Sequence, residues 1–264
     1  FRFHSERKCD YIAMQVKIIR KYHPDILIAA NSTAGSADRH AAFALVDRAG
    51  LDCYPTTEED KSLANPADFY AGAKENVPYW VLETGAGGHL LPGPPHSRRL
   101  RAHYWSYIAH GAELISIFWW RGALSGFEKT LVGIVGHNGK PRWRYDLLKS
   151  WIRELDNVTE KAGELPLPHP DAGIIFDHEN HWGYASGHWR LWKDYESILG
   201  GLHASCARLH IGVNTIPSSH DLSRFKLILL PLYLHVSEKF AEKLKQFVRD
   251  GGILIAQGQT GTQD

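Results

Sequence analysis

Tyr79-Trp80-Val81-Leu82-Glu83-Thr84-Gly85 decides the fold. An apolar run closed by one acid and a glycine predicts a short buried strand that delivers the Glu83 carboxylate to a glycine-rich loop. The charge has to sit at the open end of the strand, where it can be solvated or given chemical work, because an isolated buried carboxylate is costly. Parallel α/β folds keep their reactive groups at that end. These residues alone fit two readings of Glu83: a structural acid satisfied by a backbone cap or an arginine, and a reactive one.

Upstream, Tyr11, Ile12, Val16 and Ile19 recur at helical spacing and predict a helix over 9–22, stopped by His23-Pro24. The run 26–30 predicts a strand ending in Asn31, followed by a Ser/Gly loop and a helix over 37–49. Residues 51–54 predict a second strand closed by Pro55, and 68–74 a short helix. Downstream, Ser97 opens a helix with Leu100, Tyr104 and Ile108 on one face and Gly111 at its end. Residues 114–120 form the fourth expected strand, and 142–161 a helix with Trp143, Leu147, Leu148, Trp151, Ile152 and Leu155 together. This alternation implies parallel βαβ units, and four of them make half of a (β/α)8 barrel. Asn31, Tyr54, Glu83 and Arg121 all fall at C-terminal strand ends, which favours the reactive reading.

The proline-rich segment 164–170 reads as a linker between a partial TIM barrel over 1–163 and a second domain over 171–264. There, apolar strands at 172–176, 228–231 and 253–256 alternate with helices near 191–209 and 237–249, and Gly251-Gly252 ends the last helix. That pattern predicts a small doubly wound, flavodoxin-like sheet. It has no glycine-rich phosphate fingerprint, so no nucleotide or other cofactor is expected.

The formal net charge of +1 argues against a nucleic-acid partner, and no apolar run reaches a membrane span. Cys9, Cys53 and Cys206 lie far apart, without metal-like spacing or a disulfide framework, and point to a reducing, cytoplasmic setting. The chain opens on Phe1 with no visible signal peptide, and its first residues read as the middle of something larger. Nine tryptophans exceed the needs of a core; Trp suits both aromatic filling and half-wet surfaces such as sugar platforms.

Several pieces taken together resemble glycoside hydrolase family 42, the β-galactosidase family. They are Trp80-Val81-Leu82-Glu83-Thr84, the stretch Tyr104-Trp105-Ser106-Tyr107-Ile108-Ala109-His110-Gly111-Ala112, Phe118-Trp119-Trp120-Arg121, Phe127-Glu128-Lys129 and Gly136-His137-Asn138-Gly139-Lys140-Pro141. Beyond the linker, Phe176-Asp177, Asp221-Leu222-Ser223, Leu229-Leu230-Pro231 and Gly251-Gly252 are similar to that family's second domain. The resemblance implies a retaining exo-β-glycosidase acting on a small carbohydrate, with Glu83 as nucleophile and Tyr54 hydrogen-bonded to it. It implies substrate-binding roles for Arg121, Glu128, Trp120 and Asn31, and a homotrimer built through the second domain. Arg121 also fits a surface ion pair, Glu128 a loop acid paired with Lys129, and Tyr54 a plain strand-end aromatic.

This chain departs from the family pattern at Leu131, where a sugar-binding His is expected, and at Leu91, where a Trp platform is expected. A pocket without that imidazole and that ring cannot hold galactose in the same way, and a related mannoside, glucoside, fucoside or arabinoside is the alternative to a galactoside. The family's acid/base Glu follows an Asn, and no Asn-Glu pair occurs here. The expectation is the last four strands of the barrel plus the second domain, without the acid/base and inactive alone.

His178-Glu179-Asn180-His181 with His188 invites a metal reading, but the spacing lacks the ligand number and context of a zinc site, and no metal is expected. Trp182, Trp189 and Trp192 read as interface or core. The second domain also resembles a glutamine amidotransferase-like fold, yet Cys206 lies in a helical stretch and not on a nucleophile elbow. A non-catalytic sugar-binding or assembly module is the alternative to an enzyme.

Overall fold

Strands and helices alternate along the chain in a computed structural model that describes residues 1–31, 37–54, 61–86, 97–186 and 189–262, with the backbone alone at 61–63, 97–98 and 189–194. The elements run α1 (Arg2–Tyr22), β1 (Ala29–Asn31), α2 (Arg39–Ala44), β2 (Arg48–Asp52), α3 (Lys61–Ala71), β3 (Tyr79–Gly85), α4 (Ser97–Ala109), β4 (Ala112–Phe118) and α5 (Trp143–Ala162). After residues 164–170, which carry no regular element, come β5 (Ala172–Ile175), α6 (His178–Ser186), α7 (Trp189–Arg208), β6 (Val213–Ile216), β7 (Leu227–Pro231), α8 (Glu238–Arg249) and β8 (Ile253–Gln257). No described helix is long and apolar enough to cross a membrane.

Two sheets result, in strand orders β1-β2-β3-β4 and β6-β5-β7-β8. The pairs β2·β3 and β3·β4 are parallel, as are all three pairs of the second sheet. Four sequential strands with helical crossovers are what a partial (β/α)8 barrel requires. In the second sheet the order reverses around β5, the doubly wound arrangement expected from the sequence. Neither α6 nor β6 was expected there. The second strand, expected over 51–54, runs over 48–52 and leaves Tyr54 just beyond its end.

By packing, the chain forms two compact units. One comprises Phe1–Ala49, Asp68–Val77 and His169–Asp264, the other Gly50–Ala67 and Pro78–Pro168. The first unit therefore groups α1, β1 and α2 with the second sheet, a different cut from the expected linker.

Within the first unit, the second sheet is covered on both faces. Phe240, Leu244 and Phe247 recur at i, i+4 and i+7 on α8 and are buried with Ile175, Ile216, Ile228 and Leu230. Each such side chain contributes about 1.5–3 kcal/mol on leaving water. Ser237 caps this helix by accepting from the Phe240 N–H, and Gly251, at φ +97°, turns the chain toward β8. On the other face, Cys206 of α7 packs with Ala172, Ile174 and Val213. A Cβ on Gly72 would lie 2.2 Å from the Thr215 carbonyl oxygen, so only glycine allows that approach. In the second unit, Tyr79 and Val81 of β3 are fully buried, and Leu100 and Tyr104 of α4 pack on Trp151 of α5.

Candidate functional site

Glu83 is half-buried near the C-terminal end of β3, and the Tyr54 hydroxyl donates to its Oε2 at 2.7 Å. The β2·β3 register shifts between Leu51 and Asp52, so that Asp52 stands opposite Glu83 and Tyr54 passes beyond the ladder. The Cys53 N–H still donates to the Glu83 carbonyl at 2.9 Å, which holds the backbone of the two strand ends together. A phenol donating to a carboxylate is a charge-assisted bond, and it aims one carboxylate oxygen while leaving the other for chemistry. Burial, and then the Glu83 carboxylate, push the Tyr54 phenol well above its ordinary value, so it stays a neutral donor. Asp52 and Glu128 push in the same direction, which places both acids within electrostatic reach of the phenol.

Helix α4 braces this pair from below. The Tyr107 ring is fully buried, and its hydroxyl donates to the Cys53 carbonyl at 3.1 Å and lies 3.1 Å from Thr84 Oγ1. Tyr104 donates to the Gly85 carbonyl at 3.3 Å, and Arg144 of α5 donates through Nε to the Ala86 carbonyl at 3.2 Å. Reading the sequence alone places Tyr104 on a packing face and assigns Tyr107 and Thr84 no task. The i, i+3 spacing of the two tyrosines is the signal that both face one neighbour.

Trp120 and Arg121 follow β4 and are exposed. The strip 133–137 fastens their backbone: the Ile134 N–H donates to the Trp119 carbonyl at 2.8 Å and the Val135 N–H to the Trp120 carbonyl at 2.9 Å. Arg121 donates through Nε to the His137 carbonyl at 2.9 Å. Glu128 sits exposed on a 3-10 turn over Phe127–Thr130, and Leu131, half-buried, closes that turn with its N–H on the Glu128 carbonyl. The structure thus joins Tyr54 to Glu83 directly and Glu128 to Tyr54 through its charge. Asn31 ends β1, exposed, in the first unit. Leu91 and His188 lie outside the described residues, as do the side chains of Trp189 and Trp192.

Asp38, His40 and His178 are the one group among the described residues whose ligand atoms lie within 4.8 Å of one another. The hydrogen bonds there speak against a cation. His178 Nε2 accepts the Arg39 N–H at 3.1 Å, so the neutral ring carries its proton on Nδ1 and neither nitrogen has a spare lone pair. Burial, reinforced by the Arg39 charge, pulls His178 down to about 2, and likewise His40 to about 3 and His181 to about 4. The helical context missing from the sequence reading exists, since His178 and His181 both lie on α6, but it holds these rings as buried neutral groups. Trp182, next in that helix, is buried and stacks on Phe1 with centroids 6.1 Å apart.

Two family models match the chain: one described as β-galactosidase over residues 1–158, and one described as β-galactosidase trimerisation domain over residues 170–264. Among curated proteins, β-galactosidase BgaA of Clostridium cellulovorans is 26% identical over 100% of this chain and 41% of its own length. β-Galactosidase bgaB of Geobacillus kaustophilus is 27% identical over 100% of this chain and 40% of its own length. Among solved structures, a β-galactosidase from Bacillus circulans sp. alkalophilus superposes with a TM-score of 0.87 at 20% identity, over 98% of this chain and 40% of that one. The chain spans about two fifths of the length of the curated relatives it matches.

Proposed function

We propose that this chain, which belongs to the glycoside hydrolase family 42 β-galactosidases, carries the nucleophile half of a retaining exo-β-glycosidase. The observation that carries this reading is the Glu83 carboxylate, at the C-terminal end of a parallel strand, oriented by the Tyr54 hydroxyl at 2.7 Å. Glu83 attacks the anomeric carbon of a terminal β-linked sugar and forms a glycosyl ester, which water then hydrolyses. Tyr54 holds the carboxylate aimed before attack. Trp120 offers a face to the sugar ring, and Arg121 and Glu128 bind its hydroxyls. The acid/base carboxylate that a retaining mechanism also needs lies, on this reading, outside these 264 residues, which contain no Asn-Glu pair.

Leu131 in place of an imidazole leaves an apolar wall beside Glu128 and favours tolerance among β-glycosides over strict galactose selection. We read the chain as barrel over 1–163 and assembly domain over 171–264, an assignment supported by the limits of the two family matches. The description of the second match supports a homotrimer. Three unpaired cysteines support a reducing, cytoplasmic location.

The test is covalent trapping. The intact protein, treated with an activated 2-deoxy-2-fluoro-β-galactoside and digested, should yield a peptide bearing the sugar mass on Glu83. A label on another carboxylate overturns the assignment. Full activity in Glu83→Gln would make Glu83 a structural acid.

A further inference from the structure

The Tyr107 hydroxyl occupies an unusual place relative to the Tyr54–Glu83 pair. It touches Thr84, the residue after the acid, and Cys53, the residue before the phenol, each at 3.1 Å. A phenol has a single proton, and the Cys53 carbonyl can only accept, so that proton goes to Cys53 and the Tyr107 oxygen accepts from Thr84. The result is a directed chain, Thr84 O–H to Tyr107 O–H to Cys53 C=O, spanning the ends of β2 and β3.

The strand ladder is weak at that point. The β2·β3 register shifts between Leu51 and Asp52, and the β3·β4 register shifts between Val81 and Thr84. Past the shift one backbone bond, from the Cys53 N–H to the Glu83 carbonyl at 2.9 Å, joins the two strand ends, and the Thr84–Tyr107–Cys53 chain is the side-chain tie beside it. The Tyr107 side chain is fully buried, and its backbone is held as well, since the Tyr79 hydroxyl donates to the Tyr107 main-chain carbonyl at 3.2 Å. A buried hydroxyl bonded on one side to Thr84 and on the other to Cys53, whose thiol it also reaches, ties the two strand ends together.

We propose that Tyr107 is a positioning residue for the reaction: the Thr84–Tyr107–Cys53 chain sets the separation at which the Tyr54 hydroxyl meets the Glu83 carboxylate. This rests on Glu83 being the nucleophile. Tyr107 touches no substrate, and it acts through the pair above it.

The experiment is a kinetic cycle in the intact protein. Tyr107→Phe keeps the ring and its burial, and should lower kcat by about 10- to 100-fold with little change in KM, the loss expected from a small misplacement of reacting groups. In a Tyr54→Phe background the same substitution should cost less than about 2-fold, because the contact it supports is already gone. Losses that simply multiply, or a Tyr107→Phe enzyme with wild-type kcat, overturn the proposal. Should Tyr107→Phe fail to fold, the other end of the chain carries the test. Thr84→Val should reproduce the kcat loss and Thr84→Ser should rescue it; equal behaviour of the two overturns the proposal. If Glu83→Gln keeps full activity, the nucleophile reading has failed instead, and the two failures are told apart.

Discussion

Asp68 Oδ2 lies 2.6 Å from His203 Nε2, with side chains 11% and 6% exposed, and this bond ties α3 to α7 inside one unit. Removing His203 takes a hydrogen bond from a carboxylate in the interior, and a hydrogen bond to a charged group is worth about 1.5–3 kcal/mol. His203→Ala should destabilise the protein by about 1.5–3 kcal/mol, read as a lower urea midpoint with an unchanged slope. A midpoint within experimental error of the wild type would show that the site rehydrates without cost.

Tyr54→Phe removes the donor to Glu83 and nothing else of the side chain. A hydrogen bond to a charged group is worth about 1.5–3 kcal/mol. If that bond is kept through the transition state, kcat falls about 10- to 100-fold in steady-state assays on an aryl β-galactoside. The thermal midpoint should hardly move, because Tyr54 is only half-buried. A large drop in midpoint with unchanged kcat would make Tyr54 structural.

The pH dependence of stability follows from the buried imidazoles. His40, His178 and His181 are held down to about 3, 2 and 4 in the folded protein. Unfolded histidines titrate near about 6.5. Below that pH the unfolded chain takes up protons that the folded chain refuses, so stability falls as pH drops from about 6.5 toward about 4. Each fully refusing ring contributes up to about 1.4 kcal/mol per pH unit. Asp38, raised by burial, works in the opposite direction at the acid end, because its folded form takes a proton early. His40→Phe keeps the stacking on Phe69, with centroids now 4.9 Å apart, and should flatten the slope by about 1 kcal/mol per pH unit. Urea titrations at pH 7, 6 and 5 measure it, and an unchanged slope would mean His40 already exchanges with water.

Gly133 faces the backbone that carries Trp120 and Arg121. A Cβ there would lie 2.6 Å from Gly122 N, 2.9 Å from Arg121 Cα and 2.9 Å from Trp120 O, and backbone atoms do not move aside cheaply. Gly133→Ala should cost about 1–3 kcal/mol of stability and, on the proposed sugar-binding role of Trp120 and Arg121, raise KM more than it lowers kcat. Unchanged KM together with lost stability would remove Trp120 and Arg121 from the sugar site.

Much of this molecule follows from local pattern. The run Tyr79–Gly85 is a buried parallel strand because its apolar residues are continuous and its acid comes late, and the α8 face is legible because Phe240, Leu244 and Phe247 keep one helical stripe. Helix α6 escapes that logic. His178, Asn180, His181, Trp182 and Tyr184 are all buried, so polar and apolar side chains surround it with no stripe to read. Strand β6 escapes for a related reason: Asn214 and Thr215 look like loop residues but are buried in the sheet.

The sequence by itself determined the alternation of elements, the parallel sheets and the arrival of Glu83 at a C-terminal strand end, because periodicity and the cost of burying charge act over a few neighbouring residues. The meeting of Tyr54 with Glu83 was expected only through the family resemblance, and tertiary structure alone brought Tyr107 to that pair. Tyr54 reaches Glu83 across 29 positions of chain, and Tyr107 reaches Cys53 across 54. Those meetings depend on register shifts between strands and on the facing of α4, and such long-range geometry leaves no periodic mark in the residues that obey it.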